Sequence, residues 1–299
     1  MRYVAVAESD IGTSREVNQD SVLIEHAKYG DTVVLMAIVC DGMGGLSKGE
    51  LASASVIHEF KEWFFKSLPQ ELKNIDINVI GGKFSLLLKN LNNRIMKYGQ
   101  DIGERLGTTF TGILFVDNQF VIVHVGDTRV YHINKSLIQL TDDQTFIAKE
   151  ILRGALTPEQ AKTDKRRNML LQCIGASNTV EPQIVCGETK PGFYLICSDG
   201  FRHKITEDEL ALSLDFHHLT NKRKMLARSK KLIDLVKQRG ERDNISVILI
   251  RFSKELNAVK WVNRLRNYFI ERKLFLLSII SLTGSVILLI AGFLVTWAV

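Results

Sequence analysis

Five aspartates stand at the ends of apolar runs, and their placement is the first sign of chemistry in this chain. Asp41 follows Val33-Val34-Leu35-Met36-Ala37-Ile38-Val39-Cys40, Asp127 follows Val121-Ile122-Val123-His124-Val125-Gly126, and Asp199 follows Phe193-Tyr194-Leu195-Ile196-Cys197-Ser198. Asp20 and Asp243 instead precede such runs, Ser21-Val22-Leu23-Ile24 and, after Asn244, Ile245-Ser246-Val247-Ile248. Runs of this length, rich in Val and Ile, read as strands buried in the core. A single Asp-Gly after a strand is a turn dipeptide, but that reading does not cover three strand C-ends and two strand N-ends that all carry aspartate. In antiparallel sheets the C-end of one strand lies beside the N-end of its neighbour, so all five carboxylates can meet on one rim. Gathered there, they raise one another's pKa unless a cation holds them. The pattern points to a carboxylate-lined site for a hard divalent ion.

The elements that must position these residues read as α+β. A short strand at 3–7 and a polar loop at 8–19 lead to the Asp20 strand. Apolar residues at helical spacing predict helices over 51–65 and 84–98. Three strands follow, over 108–116, 119–125 and 129–134, the first two joined by a hairpin turn at Asp117-Asn118. Residues 142–176 turn charged and helical, with Thr157-Pro158-Glu159-Gln160 as a helix start, and read as an insertion near the rim. Strands over 183–189 and 193–197, a helix from Thr206, a helix over 222–238 and a strand over 245–252 complete the pattern. Strands cluster toward both ends with helices paired between them, which excludes a βαβ alternation.

With 299 residues, 45% of them hydrophobic, the chain can bury a full core. Much of its net charge of +6 sits on one helical stretch holding Lys222, Arg223, Lys224, Arg228, Lys230, Lys231, Lys237 and Arg239. A solvated face, an anionic membrane surface and nucleic acid are all compatible with that charge. Nucleic acid ranks last, because no recognition motif accompanies it. Cys40, Cys173, Cys186 and Cys197 lack paired spacing and read as reduced thiols. No basic-then-apolar leader opens the sequence. Residues 274–299 carry no charge over 26 positions, more than the roughly 20 needed to cross a bilayer. Arg264, Arg266, Arg272 and Lys273 precede this stretch and nothing basic follows it, so the expected orientation keeps the large domain cytoplasmic. The expected organisation is a large domain over 1–253, a basic juxtamembrane segment over 254–273 whose Trp261, Leu265 and Phe269 share one helical face, and a single transmembrane helix over 274–299 in the cytoplasmic membrane.

Six stretches, in order, resemble the motifs of the metal-dependent serine/threonine phosphatases of type 2C in their bacterial form. They are Ser9-Asp10-Ile11-Gly12-Thr13-Ser14-Arg15-Glu16-Val17-Asn18-Gln19-Asp20, Asp41-Gly42-Met43-Gly44-Gly45, Leu106-Gly107-Thr108-Thr109, Val125-Gly126-Asp127-Thr128-Arg129, Cys197-Ser198-Asp199-Gly200 and Arg242-Asp243-Asn244. The resemblance spans residues 1–253. It implies a four-layer α-β-β-α sandwich of two antiparallel sheets flanked by helices, with two Mn²⁺ or Mg²⁺ ions at one edge. By position, Asp41 would bridge the ions, the Gly42 carbonyl and Asp20 would serve one, Asp199 and Asp243 the other, and Asp127 would help hold a third, weaker ion. Phosphoserine or phosphothreonine in a phosphoprotein would be hydrolysed by a water bridging the ions, with Arg15 clamping the phosphate in a bidentate fork. A cognate serine/threonine kinase is the expected counterpart, and residues 142–176 correspond to the flap of bacterial relatives. Met43 stands where animal members carry a histidine, and Gln19 where many relatives have Glu. His58, His124 and His132 read as structural. The competing reading is a catalytically inactive docking module of the same fold at the membrane.

Overall fold

The computed structural model describes residues 2–43 and 48–253. The apolar runs become strands β1 (Arg2–Asp10), β2 (Ser21–Tyr29) and β3 (Thr32–Cys40), followed by helices α1 (Gly49–Lys66), α2 (Leu68–Glu71) and α3 (Ile77–Ile102). Then come β4 (Phe110–Val116), β5 (Gln119–Val125), β6 (Arg129–Ile133) and β7 (Leu137–Gln139), and the short helices α4 (Phe146–Leu152) and α5 (Pro158–Thr163). The described chain closes with β8 (Gln183–Glu188), β9 (Gly192–Cys197), α6 (Asp199–Arg202), α7 (Glu207–Ser213), α8 (Lys222–Gln238) and β10 (Ile245–Ser253).

Two antiparallel five-stranded sheets result, ordered β2-β3-β4-β5-β8 and β1-β10-β9-β6-β7. Strand periodicity explains why β3 is apolar throughout. Its Val34, Met36 and Ile38 pack into the core beneath α1 and α3, while Leu35, Ala37 and Val39 face the other sheet. In β10, Val247 and Leu249 pack with α8 residues such as Leu232 and Val236, and Ile248, Ile250 and Phe252 fill the space between the sheets. The layers are therefore helix, sheet, sheet, helix, as the resemblance implied.

The sequence reading needs correction in several places. The strand at 3–7 extends to Asp10, because β10 pairs with it residue by residue as far as Asp10↔Ile245; polar side chains at 8–10 had suggested a loop. The helix at 84–98 runs from Ile77 to Ile102, started by Asp76, whose carboxylate accepts from the Asn78 and Val79 amides, and stopped by Gly103 at φ 69°. Elements of three or four residues (α2, β7, α6) carry too little periodicity to be predicted. The Asp117-Asn118 turn is where it was expected, with Val116 paired to Gln119. Thr157 caps α5 through a full capping box, and Thr206 does the same for α7. The predicted segments 254–273 and 274–299 lie outside the described residues. Among the described residues no helix is long and apolar enough to cross a membrane.

Candidate metal centre and catalytic groove

Strand register gathers the aspartates at one end of the sandwich. Ser21 pairs with Cys40, so Asp20 and Asp41 leave the first sheet together, and Phe110↔Val125 brings Asp127 to the same end. In the second sheet Val247 pairs with Cys197, which sets Asp199 beside Asp243. Asn244 ties the two sheets at this rim: its Oδ1 accepts from the Gln19 amide at 2.9 Å, and its Nδ2 donates to the Ile11 and Val17 carbonyls at 2.9 and 3.2 Å. Asp41 is fixed by Thr109, whose Oγ1 accepts from the Asp41 amide at 2.9 Å and whose own amide donates to the Asp41 carbonyl at 2.8 Å.

The glycines after Asp41 and Asp199 are there for close approach. A Cβ on Gly42 would lie 2.4 Å from the Gln19 carbonyl oxygen, and one on Gly200 would lie 2.1 Å from that of Asn244. Neither residue has the positive φ of a turn glycine. Any side chain there would push one strand end away from its neighbour and spread the carboxylates.

The electrostatics are those of a site short of positive charge. Asp20 is 8% exposed, and neither of its carboxylate oxygens has a hydrogen-bond partner of sound geometry. Burial, then the charges of Asp199 and Asp243, push its pKa up to about 7, against the nearby Ser246 and Ser198 hydroxyls. Burial first and then Asp20, Asp199, Asp127 and Asp243 raise Asp41 well above the carboxylate range. Asp127 is pushed up to about 7 and Asp199 to about 6, in both cases chiefly by burial and with Arg202 opposing. Buried carboxylates without partners are costly unless neutralised. An oxygen-only donor set of this kind fits Mg²⁺ or Mn²⁺.

Among the described residues, no three acidic, His or Cys side chains close into a ready-made cage for an ion. Two arginines explain part of this. Arg15 donates from Nε and Nη2 to the two oxygens of Asp243 at 2.9 and 2.7 Å. Arg202 donates from Nη2 to the Asp127 carbonyl at 3.1 Å and to its Oδ2 at 3.2 Å. The partner of Arg15 thus lies 228 positions away in the chain. Arg202 was missed altogether, as was the bidentate pair beside it, in which Arg129 donates to both oxygens of Asp143 at 2.7 Å. No local spacing signals either contact.

A groove of about 1480 Å³ opens from this rim, running from Arg15 and Asp243 past Arg202 and His203 to α4 and Leu171. Residues of the predicted 142–176 insertion form one wall. His203, also unforeseen, stands 3.6 Å from Asp199 and 3.8 Å from Glu241. The Gln19 side chain donates from Nε2 to Glu50 at 3.1 Å, and the Met43 backbone amide donates to the Gly107 carbonyl at 3.0 Å. His124 is structural, as expected: buried, bonded to Thr111 and the Asp142 carbonyl, and held neutral with its pKa pushed down to about 4 by burial. His132 packs on Tyr194 and His58 is exposed on α1. All four cysteines are free thiols.

Residues 12–246 match the family model Protein phosphatase 2C. This chain belongs to the protein phosphatase 2C family. A protein phosphatase 2C-type of Streptococcus pyogenes is 30% identical over 251 residues, which cover 83% of this chain and 97% of that one. The structure of the S. agalactiae serine/threonine phosphatase superposes with a TM-score of 0.75 at 25% identity, covering 84% of this chain and all of that one. The catalytic domain of the phosphatase PstP, solved with two manganese ions, superposes with a TM-score of 0.67 at 27% identity and covers 83% of this chain and 97% of that one. The phosphatase 2C member described here is accordingly an enzyme, a protein serine/threonine phosphatase.

Proposed function

We propose that this phosphatase hydrolyses phosphoserine and phosphothreonine in cytoplasmic phosphoproteins with two Mn²⁺ or Mg²⁺ ions, held by Asp20, Asp41, the Gly42 carbonyl, Asp199 and Asp243. A third ion beside Asp127 would compete with Arg202 for that carboxylate. The observation that carries this reading is the rim itself, where a buried Asp20 with no partner faces carboxylates that raise one another's pKa. Two manganese ions in the PstP structure support it. Bound there, a pair of divalent ions supplies a water acidic enough to attack phosphorus near neutral pH.

The chain's own residues do the rest. Arg15 presents to Asp243 the same two-pronged face that a phosphate accepts. At about 37% side-chain exposure it can exchange one anion for the other. Asn244 and Thr109 hold the strand ends at fixed spacing, so the carboxylates do not relax apart. Met43 cannot protonate a leaving alkoxide, so that proton comes from water or another group in the open groove.

The experiment is turnover of p-nitrophenyl phosphate and a phosphothreonine peptide by the full-length chain with Mn²⁺, with and without EDTA. EDTA-sensitive release of phosphate from both, abolished by Asp41→Asn, is expected. No turnover under any metal would leave the docking module as the reading. We further propose that residues 274–299 anchor the chain in the cytoplasmic membrane with the catalytic unit inside, opposing a serine/threonine kinase there. The uncharged stretch and the basic residues before it support this. Protease added outside intact cells should spare residues 2–253; their digestion would reverse the orientation.

A further inference from the structure

The groove is lined by more cations than its own anions can neutralise, and the pairing is unequal along its length. Arg15, Arg129 and Arg202 face Asp243, Asp143 and Asp127 at hydrogen-bond distance. Asp142 accepts from the Gln183 amide at 2.6 Å, and Glu241 accepts from the Arg242 and Asp243 backbone amides. The remaining lining cations, Lys149, Arg167, Lys204 and Arg242, are exposed and belong to none of the ion pairs among the described residues. Two arginines near the groove but not lining it are paired, Arg153 with Glu150 and Arg166 with Asp164. Four cations without an ion-pair partner among the described residues thus line the same groove as the rim residues Arg15, Asp127 and Asp243.

We propose that this wall is a second anion subsite, recognising a further phosphate or a carboxylate on the phosphorylated segment whose other phosphate reacts at the rim. The proposal rests on the phosphatase reading above and specifies its substrate: a segment that is acidic or phosphorylated more than once. Charge complementarity is the argument. Lys149 on α4, Arg167 beyond α5 and Lys204 after α6 come from three different segments, yet all line one groove with the reacting end. A small aryl phosphate carries no flanking anion for them to engage. Exposed cations each add modest, salt-screened attraction, and several acting on one anion add up.

The test uses the full-length chain with Mn²⁺ and three phosphothreonine peptides of equal length. One has neutral flanks, one has glutamates on both sides, and one has a second phosphothreonine; p-nitrophenyl phosphate is the small control. The expected result is kcat/KM about tenfold higher for the glutamate and doubly phosphorylated peptides than for the neutral one, carried by KM and flattened at high salt. A preference confined to the doubly phosphorylated peptide supports the subsite and assigns it to phosphate. The triple variant Lys149→Ala, Arg167→Ala, Lys204→Ala should lose the preference and keep its turnover of p-nitrophenyl phosphate. Equal kcat/KM for all three peptides, or a triple variant that keeps the preference, overturns the subsite while leaving the phosphatase reading intact. Absence of turnover on every substrate, p-nitrophenyl phosphate included, overturns both.

Discussion

The two ends of the sandwich are built from the same strands and treat their polar groups in opposite ways. At the end away from the groove, hairpins close with local satisfaction. Asp117, at φ 50°, accepts from the Val33 amide through Oδ1 at 2.9 Å, the Thr189 amide donates to the Asn118 carbonyl at 2.8 Å, and the Lys190 amide donates to the Tyr194 hydroxyl at 3.0 Å. The buried atoms left unpartnered there, the Thr189 hydroxyl and His132 Nε2, are neutral. At the groove end the unpartnered atoms among the described residues belong to charged side chains: both oxygens of Asp20, set among four more carboxylates, and Arg202 Nε. One end is arranged for stability alone, and the other holds repulsion that a cation would relieve.

Removing carboxylates breaks this contrast most severely. Asp41→Asn and Asp199→Asn should each lower kcat at least about 1,000-fold, roughly 4 kcal/mol of barrier, while raising the melting temperature in EDTA because repulsion is lost. Steady-state kinetics and thermal denaturation check the two halves. A variant near wild-type activity would remove that residue from the centre.

The contrast is sharpened by pH. Asp20 and Asp127, pushed up to about 7, and Asp199, to about 6, keep protons in the folded state that the unfolded chain releases at its ordinary 3.8. Without divalent ions, stability should therefore rise as pH falls from about 7 toward 4, by on the order of a few kcal/mol. Saturating Mn²⁺, if held by the same carboxylates, would keep them ionised, so the metal-dependent part of stability should fall over that window. Denaturation midpoints measured against pH, with Mn²⁺ and with EDTA, should differ in slope. The contribution of His124, which opposes the first trend below its ordinary 6.5, cancels in that difference.

Asp143→Ala probes the boundary between the rim and its support. It leaves the half-buried Arg129 without its bidentate partner and should cost about 3 kcal/mol of stability, read from urea unfolding. At the far end, Asp117→Ala loses one hydrogen bond and strains a left-handed backbone position, for about 1–2 kcal/mol. Its kcat should not change. If it did, the two ends would not be independent.

The sequence made the rim legible because each of its five aspartates stands just beyond a strand end, and strand ends follow from apolar runs. The layered fold was legible for the same reason: β3 and β10 are apolar on both faces only because each lies between a helix layer and a second sheet. What could not be read were contacts between segments remote in the chain. Arg15 meets Asp243 and Arg202 meets Asp127 through register and sheet packing, which no local spacing encodes. Glu8–Asp10 looked like loop because their polarity suits a solvated edge, whereas β10 extends them as strand. Arg202 and His203 escaped notice because α6 has only four residues, too few for any periodicity.

Anomalous diffraction at the manganese edge, from crystals of the full-length chain grown with Mn²⁺, tests the central claim most directly. Two peaks among Asp20, Asp41, Asp199 and Asp243, with Arg15 turned away from Asp243, are the predicted result. Clear density for those four side chains with no peak between them would contradict the account.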